Sequence, residues 1–455
     1  MDNFSGINNE FDVDRRYEHN VAGPDHLDML TGLVRGEGVW LFDKKDRKYL
    51  DCYSKLARVG HHHPAVTKVI REKACQVIIS PYDIDEHVVN YAERLASSLP
   101  GELSVCFFAY TETQAIALAM HIAQTLTQKS GVIVTHNPGD RIFPHREEHF
   151  TERYPEKECA PQTIAVEPPN LYRPPFIEAD TSERYVQMIN DAINTLNAKG
   201  SGVAAFMCDS IFAAEGYLEA PEDYFKCVYN KIRVEGGLCI ADETQAGLGR
   251  TGFMWGFEHY DVIPDIVISG QSTWPGLPMS VVVTTAAIGE AFQRSGGHFN
   301  NYKSHALSAV VENAVLTEVE TQSLLENVQT VGRYLRAEFK SLAARHALIG
   351  NIRGLGFAFG VELVTDRHSK RPAREEARAV VELMRTEGVL IDAAGRHGNV
   401  LTIRLPLIFS KDNCDFMTEK LDKVLTKITA DMADIRVKPS GQKAPWASLS
   451  SATFF

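Results

Sequence analysis

Short apolar runs alternate along this chain with longer amphipathic stretches, and the alternation itself predicts the elements. "SVCFFAY", "GVIVTH", "GVAAFMCDS", "GLCIADE", "DIVISG" and "SVVVTT" are continuous apolar segments of strand length, bounded by glycine or polar residues. Runs of this kind suit strands buried on both faces. Between them, "AVTKVIREKACQVI", "HVVNYAERLASSL", "TQAIALAMHIAQTL", "RYVQMINDAINTLNA" and "EDYFKCVYNKIRVEG" repeat apolar positions with helical spacing. Strand and helix in turn predict an α/β architecture with a mostly parallel sheet. From about residue 310 the pattern changes to long helical segments spanning 306–346. "IGNIRGLGFAFGVEL" and "GNVLTIRLPLIF" follow as strands flanking a further helix. The expected organisation is an N-terminal arm with part of a small domain over 1–65, a large domain over 66–310, and the rest of the small domain with a polar tail over 311–455. Ligands of such sheets sit beyond the carboxyl ends of the strands. The turns after "CFFAY", "VIVTH", "AAFMCDS", "CIADE" and "IVISG" are therefore expected to meet at one site.

Composition narrows the function without naming it. The formal net charge of −12 argues against a nucleic-acid partner, which needs a basic face. No apolar run approaches the roughly 20 residues that cross a bilayer, and the first residues are polar and acidic. The eight cysteines are scattered without a CxxC pair, as suits free thiols in a reducing compartment. A cytoplasmic protein with a small-molecule substrate is the expectation. "GHHHP" (60–64) invites a metal reading, but adjacent side chains do not readily face one ion, so no metal site is expected.

Several longer stretches resemble the class III aminotransferases of the fold-type I group, most closely the branch that includes ethanolamine-phosphate phospho-lyases. They are "LVRGEGVWLFDKKDRKYLDCYS", "VGHHHPAV", "HVVNYAERLASSLPGELSVCFFAY", "GGLCIADETQAGLGRTGFMWGFEHYDVIPDIV", "LIGNIRGLGFAFGVEL" and "HGNVLTIRLPL". The resemblance covers roughly residues 30 to 430. It implies a large domain on a seven-stranded sheet, a small domain built from both chain ends, and a homodimer with active sites at the subunit interface. It also implies that Asp242 partners a pyridine nitrogen, with Gln245 beside it, and that Arg404 clamps a substrate carboxylate. "GLGRTG" becomes a structural turn, with Arg250 tying the backbone.

Other positions depart from the family pattern. The Schiff-base lysine of pyridoxal 5′-phosphate (PLP) enzymes falls at Gln271, and an amide is not a nucleophile that can form that bond. The phosphate loop reads Thr111-Glu112-Thr113. A carboxylate at a helix N-terminus supplies the negative charge that a bound phosphate would bring, and repels the phosphate. "TETQ" also fits a capping box that satisfies the helix by itself. The ring-stacking pair falls at Gly139 and Asp140, the glutamate of the next motif at Asp209, and the cross-subunit threonine at Asn301, near Lys303. Taken together, these departures lead to the expectation of no cofactor, neither PLP nor its amine form PMP. The expected protein is a PLP-independent enzyme that runs acid/base chemistry on a small amine- or carboxylate-bearing metabolite. Asp242 with Asp209 or Asp140 would transfer protons. Thr111, Glu112, Thr113, Gln245, Gln271, Lys303, Arg404 and Lys55 would line the substrate pocket. The alternatives are a non-catalytic partner of an active aminotransferase, and an aminotransferase or lyase that holds PLP or PMP non-covalently.

Overall fold

The computed structural model describes residues 32–53, 57–74, 85–135, 162–175, 181–270, 277–296 and 306–437. The chain opens with β1 (Leu33–Glu37), β2 (Trp40–Asp43) and β3 (Lys48–Asp51), then α1 (Pro64–Lys73) and α2 (Glu86–Ser97). Next come β4 (Leu103–Ala109), α3 (Glu112–Thr127), β5 (Gly131–Thr135), β6 (Gln162–Val166), α4 (Thr181–Ala198) and β7 (Val203–Asp209). They are followed by α5 (Tyr224–Val234), β8 (Leu238–Asp242), β9 (Ile266–Ser269), β10 (Ser280–Thr285) and α6 (Ala286–Arg294). The C-terminal part holds α7 (Ala306–Thr321), α8 (Leu324–Arg345), β11 (Ile349–Leu355), β12 (Ala358–Asp366) and β13 (Arg371–Pro372). It ends with α9 (Arg374–Thr386), β14 (Val389–Leu390), β15 (Asp392–Ala394), β16 (Val400–Arg404) and α10 (Lys411–Val437).

The predicted parallel sheet has seven strands in the order β4-β10-β9-β8-β7-β5-β6. All neighbours from β6 to β9 are parallel, while β10 runs antiparallel to both β9 and β4. The sheet is therefore mixed, and β4 returns to the direction of the other strands. Both faces are covered. On one, Val132, Val134, Ile240, Ile268 and Val282 pack with Ile116, Ala119 and Ile122 of α3. On the other, Ile133, Phe206 and Cys239 pack with Ile189, Ile193, Val228 and Ile232 of α4 and α5. Burial on both sides explains why these strands are continuous apolar runs.

Two smaller sheets complete the frame. Four strands in the order β1-β2-β3-β14 join residues near the start of the chain to Val389–Leu390. The order β11-β12-β16-β15 forms the other sheet, with β13 pairing on β12. "IGNIRGLGFAFGVEL" is thus two strands joined by a tight turn rather than one. Gly356 sits at that turn with φ of +55°, pressed against the backbone of Thr251 and Arg250. A side chain there would meet both a steric and a conformational barrier.

Candidate active site

Because β4, β5, β7, β8 and β9 point the same way, their carboxyl ends lie along one edge of the sheet. Asp209 and Asp242 end β7 and β8 there and are ladder partners. Asp242 accepts the Thr244 backbone N–H through Oδ1 at 3.0 Å. Burial raises its pKa, and its hydrogen bonds to Thr244 pull the other way. Asp209 is raised well above the usual carboxylate range, first by burial and then by the charge of Asp242. Its two oxygens accept the backbone N–H groups of Ile211 at 2.9 Å and Ala213 at 2.8 Å. Asp209 thus closes the turn that carries Phe212 in a left-handed conformation with φ of 47°. Neither aspartate makes an ion pair with a described residue.

Glu112 is the first residue of α3, with Thr111 as its N-cap. Thr111 Oγ1 accepts the Gln114 N–H at 3.2 Å, as the capping pattern predicts. The return bond runs one residue further back than in a standard capping box, from the Tyr110 N–H to Gln114 Oε1 at 3.0 Å. Thr111 and Thr113 are exposed and Glu112 is half-buried. Glu112 packs against Gly270: a Cβ built on Gly270 would lie 3.0 Å from Glu112 Cγ and 2.6 Å from Thr244 Oγ1. Gly270 N–H in turn donates to that same Thr244 oxygen at 3.1 Å. The start of α3, the end of β9 and the Asp242 turn are therefore in mutual contact. Substituting Gly270→Ala should cost about 1–3 kcal/mol by overpacking this junction. Urea unfolding would measure the loss, and an unchanged midpoint would mean that the junction yields freely.

Arg404 ends β16 in the neighbouring sheet and is 7% exposed. Its Nε donates to the Tyr53 carbonyl at 3.2 Å, and its guanidinium lies 5.1 Å from the Tyr53 ring centre. Burial raises the pKa of the nearby Tyr217 hydroxyl, and the Arg404 charge opposes that rise. Gln245 follows the Asp242 turn, and its Oε1 is buried without a hydrogen-bond donor. Arg250 Nη1 donates to the Leu405 carbonyl at 3.0 Å, which makes "GLGRTG" a structural turn. The histidines of "GHHHP" go three ways. His61 meets Asp51 at 2.6 Å, His62 meets the Gly36 carbonyl at 2.9 Å, and His63 meets Glu318 at 3.6 Å.

Lys55, Asp140, Gln271 and Lys303, with Gly139 and Asn301, lie outside the described residues. Asp209, Asp242, Glu112, Gln245 and Arg404 are described. Glu243, Thr244 and Arg58 are functional neighbours that sequence reasoning missed. A polar triplet directly after an apolar strand, and one arginine within the apolar run "LARVG", were the available signals.

Strand order, the second sheet and the aspartate at the end of β8 define the fold-type I aminotransferase architecture. The chain belongs to the class III aminotransferase family, whose pattern matches residues 21–425. It is 35% identical over 402 residues to alanine–glyoxylate aminotransferase 2 homolog 2, mitochondrial, from Arabidopsis thaliana, covering 87% of this chain and 83% of that one. Among solved structures it is similar to a phospholyase from Arthrobacter in complex with phosphoethanolamine. That match has 32% identity and a TM-score of 0.82, and covers 91% of this chain and 99% of the other. An amine transaminase from an uncultivated Pseudomonas species, solved in its PLP-bound internal aldimine form, shares the fold. It has 22% identity and a TM-score of 0.77, and covers 90% and 97% of the two chains.

These relationships correct the expectation of no cofactor. Members of the family are PLP-dependent aminotransferases and lyases, so a PLP-independent enzyme or a pseudo-aminotransferase is not supported. Changes at the lysine and phosphate-loop positions leave the ring partner Asp242 in place, and a retained ring partner keeps a basis for binding the cofactor. The described residues fit the ring of such a cofactor. Asp242 is a half-buried carboxylate with no cation among them, and Gln245 Oε1 is a buried acceptor with no donor among them either. A ring bearing a protonated nitrogen and a hydroxyl supplies both kinds of partner. Among the described residues no helix is long and apolar enough to cross a membrane. The Arabidopsis relative is mitochondrial by name, so a cytoplasmic location does not follow.

Proposed function

We propose that this chain is an aminotransferase or lyase that acts on a small amine- or carboxylate-bearing metabolite with a pyridoxal-type cofactor held non-covalently. The observation that carries this reading is the half-buried Asp242 carboxylate at the end of β8, without an ion-pair partner among the described residues. When bound, the cofactor supplies an electron sink that acidifies the carbon bearing the amine. The chain's own contribution begins with Asp242, whose negative charge keeps a proton on the ring nitrogen. Gln245 accepts a hydrogen bond from the ring side and fixes its rotation. Gln271 offers an amide where the family has an amine, so binding rests on these polar contacts and on exclusion of water.

Substrate contacts follow from charge. Glu112, at the start of α3 beside Gly270, suits an ammonium group. Arg404 suits a carboxylate, because its planar fork matches two oxygens at once. Thr111 and Thr113 are exposed on the same helix start and would border the substrate. A homodimer is the proposed assembly, with the cleft at its interface.

Titration of cofactor-free protein with PMP and with PLP tests the reading. Saturable absorbance changes are expected, with a rise in melting temperature. Ligand at 100 times its Kd stabilises the folded state by about 2.7 kcal/mol. A protein whose spectrum and melting temperature ignore both ligands would sink the proposal.

A further inference from the structure

Arg58 carries a buried charge that the chemistry above does not use. It is 4% exposed and makes no ion pair with a described residue. Its carbonyl accepts the Leu407 N–H at 2.7 Å, which fastens it beside the exit of β16, where Arg404 stands. Its Nη2 donates to the Thr244 carbonyl at 3.1 Å, while Nη1 is buried without a hydrogen-bond partner. Arg250 faces it and repels it; Glu312 and Glu243 are the acidic groups around it. Glu243 is already engaged by Ser210, Gly256 and Phe257. Burial and Arg250 both disfavour the charged form. A guanidinium in this state works against folding, and an apolar side chain of similar volume would pack without that cost.

What the charge does is hold Thr244. Three polar groups of that residue are committed: its carbonyl to Arg58, its N–H to Asp242, and its Oγ1 to the Gly270 N–H. One residue thereby sets both the Asp242 carboxylate and the backbone that leads into position 271. We propose that Arg58 is a positioning residue of the cleft, fixing the Thr244 turn and through it the orientation of Asp242. This rests on the reading of Asp242 as the ring partner.

The test is PMP titration of the full-length protein, followed by absorbance and paired with thermal melts, for wild type, Arg58→Met and Arg58→Lys. Arg58→Met should bind about ten-fold more weakly. Its melting temperature should equal or exceed that of wild type, because an unpaired buried charge has gone. Arg58→Lys keeps a cationic donor for the Thr244 carbonyl and should recover most of the binding. If Arg58→Met fails to fold or melts several degrees lower, Arg58 is structural and the proposal falls. It falls equally if Arg58→Met binds as wild type does, or if lysine restores nothing. Wild type that does not bind PMP overturns the Asp242 reading as well, which separates the two failures.

Discussion

Replacing Asp242 by asparagine is expected to weaken PMP binding about thirty-fold or more while leaving the cofactor-free protein folded. The amide keeps an oxygen for the Thr244 N–H, so the turn survives. It removes the charge that would face a ring nitrogen, and a hydrogen bond to a charged group is worth about 1.5–3 kcal/mol. The cofactor-free variant should be at least as stable as wild type. Asp242 is half-buried beside Asp209, and its charge disfavours the charged form of Asp209. Calorimetric titration at fixed pH measures the binding, and a thermal melt measures the stability. Unchanged affinity would remove Asp242 from the role of ring partner, and the proposed function would lose the observation that carries it.

The second large effect is on folding. Glu243 neighbours Asp242 in sequence, yet it is 1% exposed and serves the scaffold. Its carboxylate accepts hydrogen bonds from the Ser210 hydroxyl, from the Gly256 N–H at 2.5 Å and from the Phe257 N–H at 3.1 Å. Glu243→Ala would leave three buried donors unsatisfied around a small void and should cost about 3–5 kcal/mol. Denaturant unfolding checks this, and a loss below about 1 kcal/mol would mean that water replaces the carboxylate. Burial pushes Glu243 from 4.5 up to about 7. Between those values the folded state keeps a proton that the unfolded chain has released. Its contribution to stability therefore falls as pH rises through that window. Glu243→Gln, which does not titrate, should flatten that part of the pH profile. Glu215, also pushed up to about 7, would keep its own share.

Legibility followed burial. Six strands of the large sheet were readable because burial on both faces demands unbroken apolar runs, and five helices were readable from their apolar stripes. The short strands over 33–51 were not. "LVRGEGVWLFDKKDRKYLD" mixes charge with apolar residues, and these strands exist through pairing with each other and with Val389–Leu390. β6 and α10 escaped notice as well. At the site, Asp242, Gln245 and Arg404 were named because their motifs have a family meaning. Glu243 and Arg58 were not, because a polar triplet and a lone arginine do not show which distant groups they will meet.

By itself the sequence determined the family, most of the element types and the chemical identity at each candidate site position, including a glutamine at 271. Such facts are local: a side chain is what it is, and a helix start such as "TETQ" caps itself from residues within one turn. Only the tertiary structure decided which groups are charged and what holds them. Asp242 meets a second half-buried carboxylate, Asp209, at the end of the neighbouring strand, and Arg58 finds the Thr244 carbonyl 186 positions away. Ionisation and orientation depend on burial and on long-range neighbours, and both exist only once the sheet has closed.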